Sequence, residues 1–108
     1  MPVTLTREQL KAMIEAKEEF VLVDVRFAES YEAEHLPGAI NMPVNEIEAL
    51  APGRLALDAR IVVYCASFQC TASPTAAAAL EGLGYRNVAD FEGGLADWKE
   101  AGYPTERP

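Results

Sequence analysis

The chain is short of several things, and each shortage narrows what it can be. Its 108 residues include two cysteines and one histidine. A structural zinc site takes four Cys or His ligands at regular spacing, so no metal centre is expected. Two cysteines also make no disulfide scaffold. They are expected as free thiols in a reducing, cytoplasmic setting. Positive charge is scarce, with 9 Lys and Arg against 17 Asp and Glu and a formal net charge of −8. Nucleic-acid binding needs clustered Lys and Arg, so a nucleic-acid partner is not expected. The same balance disfavours long-range capture of small dianions. No apolar run approaches the roughly 20 residues of a membrane helix. The opening MPVTLTREQL has neither the basic start nor the apolar stretch of a secretory leader. No repeat and no low-complexity linker divides the chain. What it does have is apolar side chains, 50% of the total, enough for a core without staples. The length suits one domain over residues 1–108, with its body at about 5–105.

Hydrophobic patterning alternates between two periods. TREQLKAMIEA opens with Thr6 and has Gln9 three residues on, a capping-box pattern, and Leu10, Met13 and Ile14 share one helical face. FVLVDV, at Phe20–Val25, is short and β-branched and predicts a buried strand. ESYEAEH predicts a short helix stopped by Leu36-Pro37-Gly38. Ala39–Met42 predicts a brief strand, VNEIEAL a short helix, and Ile61–Tyr64 a second strong strand. Thr71–Leu83 predicts a helix with Ser73 and Pro74 in its first turn and Gly84 at its end. Asn87–Phe91 predicts a third strong strand and LADWKEAG a last helix, whose Trp98 is expected to pack onto the sheet. Strands and helices alternating at this spacing imply an α/β fold, a parallel sheet covered on both faces. Sites in such sheets form beyond the carboxyl ends of the strands. Cys65 lies at one such end, and Asp24 and Arg26 at another.

Both cysteines fall in one loop between a strand and a helix, within IVVYCASFQCTASPTAAAAL. A thiol is a nucleophile as its thiolate, and a free cysteine has a pKa of about 8.5. Unpaired amides ahead of a helix favour negative charge. If the chain after Cys65 curls around its sulfur, amides of Ala66, Ser67, Phe68, Gln69, Cys70 and Thr71 would stabilise a thiolate or a persulfide there. The plainer alternative is a buried strand-end cysteine.

Four segments, taken in order, resemble the rhodanese-like family: VLVDVR at Val21–Arg26, HLPGAINMP at His35–Pro43, VVYC at Val62–Cys65 and NVADFEGGLADWKEAGYP at Asn87–Pro104. The resemblance implies a five-stranded, mostly parallel sheet between helices. It also implies sulfurtransferase activity, with Cys65 as the catalytic residue carrying sulfane sulfur as a persulfide. A donor such as thiosulfate or a persulfide would load it, a thiol or protein acceptor would remove the sulfur, and no cofactor is needed. The family's loop maps onto Cys65-Ala66-Ser67-Phe68-Gln69-Cys70, six residues, the length of the sulfurtransferase branch. A phosphatase would need a longer loop ending in Arg, where this chain has Thr71.

Two positions depart from the common Cys-x-x-Gly-x-Arg loop. Phe68 stands for the glycine and Cys70 for the arginine. Phe adopts positive φ only at a cost, so a differently shaped loop is expected. Without the Arg, thiosulfate is expected to be a weak donor and a persulfide a better one. Cys70 is either a packing residue or a resolving thiol that closes a disulfide with Cys65, which needs Cα atoms within about 7 Å. Glu34 stands where the family has glycine, and only a local change is expected from it. Asp24 and Arg26 either position the loops or bind substrate, Arg26 being the basic group that topology brings near Cys65. His35 is expected to hold the following turn rather than act as a base. Two further functions stay open beside sulfur transfer: a thiol redox switch on the Cys65–Cys70 pair, and a non-catalytic rhodanese-like binding module.

Overall fold

The β-branched runs of the sequence become the strands of one sheet. The computed structural model describes residues 2–107. In chain order the elements are β1 (Val3–Thr4), α1 (Arg7–Glu15), β2 (Val21–Asp24), α2 (Ala28–Ala33), β3 (Ile40–Asn41), α3 (Ile47–Arg54), β4 (Ile61–Tyr64), α4 (Ala72–Gly82), β5 (Val88–Phe91) and α5 (Gly94–Glu100). The five strands are ordered β1-β5-β4-β2-β3. Every pairing is parallel. Parallel strands are joined by helical crossovers, and these cover both faces.

Alternation along the strands decides which side chains meet which helices. Val23, Val63, Cys65 and Val88 lie on the face packed by Ile47 and Ala51 of α3 and Ala76, Ala77 and Leu80 of α4. Leu22, Val62, Tyr64 and Phe91 lie on the other, against Leu10 and Met13 of α1 and Trp98 of α5. The Trp98 indole N–H donates to the Pro104 carbonyl at 2.7 Å, so this large side chain packs with its polar atom satisfied. The predicted capping box is present: the Thr6 hydroxyl accepts from the Gln9 amide at 3.1 Å, and the Gln9 side chain accepts from the Thr6 amide at 2.8 Å.

Several boundaries differ from the sequence reading, mostly by one or two residues. Strand β1 has only two residues, both exposed, too few to show a period, and pairing with β5 makes it a strand. VNEIEAL divides into a 3-10 turn at Val44–Glu46 and the longer α3, which tolerates Pro52. Helix α4 begins at Ala72, one residue later than predicted, and Thr71 caps it without a side-chain hydrogen bond.

The strand order matters for the site. β4 is the central strand, with β5 on one side and β2 on the other. Its last residue, Tyr64, pairs with both Asp24 and Phe91. Whatever follows β4 therefore emerges between the carboxyl ends of two neighbours.

Candidate active site

Cys65 follows β4 directly, and the start of its loop is pinned by α5. The amide of Leu95 donates to the Cys65 carbonyl at 3.0 Å, and that of Ala96 to the Ala66 carbonyl at 2.9 Å. So close an approach requires Gly94. Its φ is +62°, and a Cβ there would collide with the carbonyl of Cys65. The second glycine of Glu-Gly-Gly thus has a mechanical reason to be there. Further on, the Cys70 amide donates to the Ser67 carbonyl at 3.1 Å, closing a turn over Phe68 and Gln69. Among the described residues Lys17 is the one non-glycine with positive φ. The loop has therefore taken a shape that Phe68 adopts without strain, and the Phe68 side chain is 67% exposed.

The two thiols sit differently from the arrangement the sequence suggested. Cys65 is fully buried, at 0% exposure. Its Sγ lies 3.6 Å from the Cys70 carbonyl oxygen and 3.5 Å from the Ser73 hydroxyl, so its partners are oxygens to which the thiol donates. Burial pushes its pKa up, and the neighbouring Cys70 adds to this; the hydroxyl and amide of Ser73 only partly oppose it. The expected ring of amides from Ala66 to Thr71 does not close around Cys65. The Cys70 amide is spent in the turn, and the Ala66 and Ala72 amides favour charge on Cys70 instead. Partial burial raises the Cys70 pKa, but the Cys65 thiol, those two amides and the charge of Arg26 outweigh it and bring it down. The two directions are opposed: Cys65 is held toward the neutral thiol and Cys70 is favoured toward the thiolate.

Cys70 is half-buried and opens into a cleft of about 280 Å³. Val25, Phe27, Val44, Ala66 and Ala72 give this cleft a mainly apolar lining, joined by Arg26. Cys65 is not among the lining residues.

Arg26 reaches the cleft on a fixed arm. Its Nη2 lies 2.7 Å from Asp24 Oδ2 and donates to the Glu34 carbonyl at 2.6 Å, while its Nε lies 3.0 Å from Asp24 Oδ1. Asp24 itself is fully buried on the opposite sheet face from Cys65 and touches neither thiol. It also accepts from the Tyr64 hydroxyl at 2.8 Å, and that hydroxyl accepts from the Leu36 amide at 3.0 Å. Burial and Asp24 both keep the Tyr64 phenol protonated. Of the two predicted residues, then, Arg26 joins the site and Asp24 holds it there. His35 stacks on Tyr31 at 4.0 Å, and its Nδ1 lies 2.9 Å from the Tyr31 carbonyl. Its backbone pairs with Glu106 and the Glu106 carboxylate accepts from the Gly38 amide at 3.0 Å, so the turn is braced as expected of a structural histidine. Glu34 does more than make a local change. It binds Lys99 at 2.8 Å and the Thr105 hydroxyl at 2.6 Å, tying the C-terminal segment down, and its pKa falls to about 2, chiefly through the Lys99 hydrogen bond.

Sequence reasoning missed Ser73 and Asp90 as parts of the site. Asp90 pairs in register with Val63, so its side chain emerges on the face that carries Cys65. It is 2% exposed, and its Oδ1 has no hydrogen-bond partner. Burial pushes its pKa up; the Ser73 hydroxyl opposes this and Glu92 reinforces it. Ser73 is 1% exposed in the first turn of α4 and links the two groups, accepting from Cys65. The available signal was an acidic residue inside the otherwise apolar run VADF. Among the described residues no cluster of His, Cys, Asp and Glu could hold a metal ion, and no helix is long and apolar enough to cross a membrane.

The strand order, the cysteine after the central strand and the Glu-Gly-Gly contact beneath it agree with a known family, and the model of the rhodanese-like domain matches residues 6–101. The chain belongs to the rhodanese-like family. Its relatives are of several kinds. An HTH-type transcriptional regulator of Mycobacterium tuberculosis is 40% identical over 94% of this chain, which spans 44% of that protein. A putative sulfur carrier protein of Bacillus subtilis is 30% identical, with 87% of this chain and 49% of that protein covered. The chain therefore spans less than half the length of these two relatives. The thiosulfate sulfurtransferase GlpE of Pseudomonas savastanoi is nearer in size, 35% identical with 80% of this chain and 77% of that protein covered. Among solved structures, the rhodanese-like domain of an Anabaena protein is 32% identical with a TM-score of 0.90, covering 100% of this chain and 81% of that one.

Proposed function

We propose that this rhodanese-like chain is a sulfurtransferase that carries sulfane sulfur as a persulfide on Cys65 and passes it to a small thiol or to a thiol on a protein. One observation carries the reading: the strand-end cysteine is held by α5 with a second thiol, Cys70, set against it at the mouth of a cleft. Relatives named as sulfurtransferases and sulfur carriers support it. In the reaction, a thiolate displaces the outer sulfur of a donor and the donor's remainder leaves as an anion. The amides of Ala66 and Ala72 and the charge of Arg26 favour a negative sulfur at Cys70, and the Ser73 hydroxyl and amide favour one at Cys65. Asp24 fixes Arg26 in place and neutralises much of its charge. That leaves little to clamp a sulfonate, and the cleft lining is mainly apolar. A persulfide is therefore the better donor and thiosulfate the poorer. The displacement needs no cofactor.

The closeness of the two ends of the loop, with Cys70 favoured toward the thiolate, favours one further reading, a redox switch in which Cys70 closes a disulfide onto Cys65. A single experiment separates the two. The protein is treated with a persulfide donor or with dilute peroxide, and each cysteine-bearing peptide is weighed. Sulfur transfer predicts one added sulfur on Cys65 and its delivery to an added thiol, with the stored pool lost in Cys65→Ser. A redox switch predicts loss of two hydrogens under peroxide and no sulfur gained from the donor. Cys65→Ser protein that still holds as large and lasting a sulfur pool as the wild type would overturn the carrier assignment.

A further inference from the structure

The buried position of Cys65 raises a question of access. No donor in the cleft reaches a thiol that has 0% exposure and lies outside the cleft lining. The cysteine that lines the cleft, and is only half-buried, is Cys70. Building on the sulfurtransferase reading, we infer that Cys70 is the entry thiol, which takes sulfur from the donor and returns it to the acceptor, while Cys65 behind it is a sheltered store filled only through Cys70.

Several independent features of the loop agree. The backbone folds so that the Cys65 thiol lies 3.6 Å from the Cys70 carbonyl, placing the two ends of the loop together. The amides of Ala66 and Ala72 favour negative charge on the Cys70 sulfur. Arg26, braced by Asp24 and the Glu34 carbonyl, lines the same cleft as Cys70. These are the conditions that make a thiol reactive, namely partial exposure, amide donors and a nearby cation, and they converge on residue 70. Cys65 has the opposite conditions: no exposure, oxygen partners and a retained proton.

The chemistry balances without any redox partner. The Cys70 thiolate attacks the outer sulfur of a small alkyl persulfide, R–S–SH. The S–S bond breaks, R–S⁻ leaves with the electron pair, and Cys70 becomes Cys70–S–SH. Cys65 then attacks the outer sulfur of that group. A new S–S bond forms on Cys65, the bond to the Cys70 sulfur breaks, and the proton of the Cys65 thiol passes to the departing Cys70 thiolate. The products are Cys65–S–SH and Cys70–SH. Delivery runs the same two steps in reverse, with an acceptor thiolate in place of R–S⁻. An apolar-walled cleft of about 280 Å³ suits a small uncharged R group.

The test uses the full chain and a small alkyl persulfide released in solution, with quenching at short intervals and mass mapping of both cysteines. In the wild-type protein sulfur should be found first on Cys70 and later on Cys65. Cys70→Ser keeps the side chain's volume over Cys65 but removes the outer thiol, and it should slow loading of Cys65 by about tenfold or more. Cys70→Val, a bulkier cover, should slow it at least as much; circular dichroism and melting temperature check that both variants fold. Cys65→Ser should still take sulfur on Cys70 but hold no lasting pool. If Cys65 fills at the wild-type rate in both Cys70 variants, the entry role is wrong and the carrier role of Cys65 stands. If neither cysteine of the wild-type protein takes sulfur, both proposals fail together.

Discussion

Two buried polar clusters lie at the carboxyl ends of the same central strands, one on each face of the sheet, and they have been treated in opposite ways. On the α1/α5 face, Asp24, Tyr64 and Arg26 form a closed network. Asp24 accepts from the guanidinium and from the phenol, and the phenol accepts from Leu36. On the α3/α4 face, Cys65, Ser73 and Asp90 are equally buried, yet one carboxyl oxygen has no partner and the thiol has only weak oxygen acceptors. A buried polar group costs little when satisfied and a few kcal/mol when not. The first cluster is therefore scaffolding that fixes Arg26 and the two loops. The second is where the molecule gives up stability, and it is the one that contains Cys65. Unsatisfied groups in native proteins gather at working sites, and here the contrast is drawn across one sheet.

Perturbing each side should show this difference. The largest effect is expected from Asp24→Ala, which strands a guanidinium and a phenol that Asp24 now satisfies. Loss of about 3–5 kcal/mol in denaturant unfolding is expected, as for one partner removed from a buried pair. A loss under 1 kcal/mol would mean that the network is not the scaffold described. Gly94→Ala comes next. Positive-φ strain alone costs about 1–3 kcal/mol, and the clash with the Cys65 carbonyl adds to it, so both stability and sulfur loading should fall. Tyr64→Phe should cost about 1–2 kcal/mol, leaving the Leu36 amide without its acceptor.

Asp90→Asn should do the reverse and stabilise. The folded-state pKa of Asp90 is raised by burial, so folding favours the protonated carboxyl. That favourable contribution is complete below the ordinary carboxylate range and is lost as pH rises through the raised value. The neutral amide should therefore gain about 1 kcal/mol over wild type at neutral pH and nothing at pH 3, read from paired melting curves. Equal gains at both pH values would remove burial of charge as the cause. Glu34→Ala is the smallest, roughly 0.5 kcal/mol or less, because its partners Lys99 and Arg107 are largely exposed. The Glu34 pKa is lowered, so this small contribution is present above the ordinary carboxylate range and is lost only as pH falls toward 2.

How much of this could be read before any coordinates follows the same division. Local side-chain patterns are legible: the β-branched apolar runs VLVD and IVVY, the Thr6/Gln9 cap and the helical face of α1 all appear where the sequence places them. Parallel packing on both faces follows from that order. Strand β1 could not be foreseen, because two exposed residues carry no period and pairing alone defines them. The loop shows a different limit. Its composition announces two thiols at a strand end, but which sulfur the amides favour depends on backbone dihedrals that no pattern encodes. Ser73 and Asp90 are far apart in sequence and meet Cys65 only through the register of β5 on β4 and the seat of α4.

The most direct test is the rate at which each cysteine is alkylated as a function of pH in the folded wild-type protein. Cys70 should react first, with an apparent pKa below that of a free thiol, and Cys65 slowly, with one above it, until Cys70→Ser leaves Cys65 slow and alone. A Cys65 that is alkylated faster than Cys70 near neutral pH, with a depressed pKa of its own, would contradict the arrangement on which this account rests.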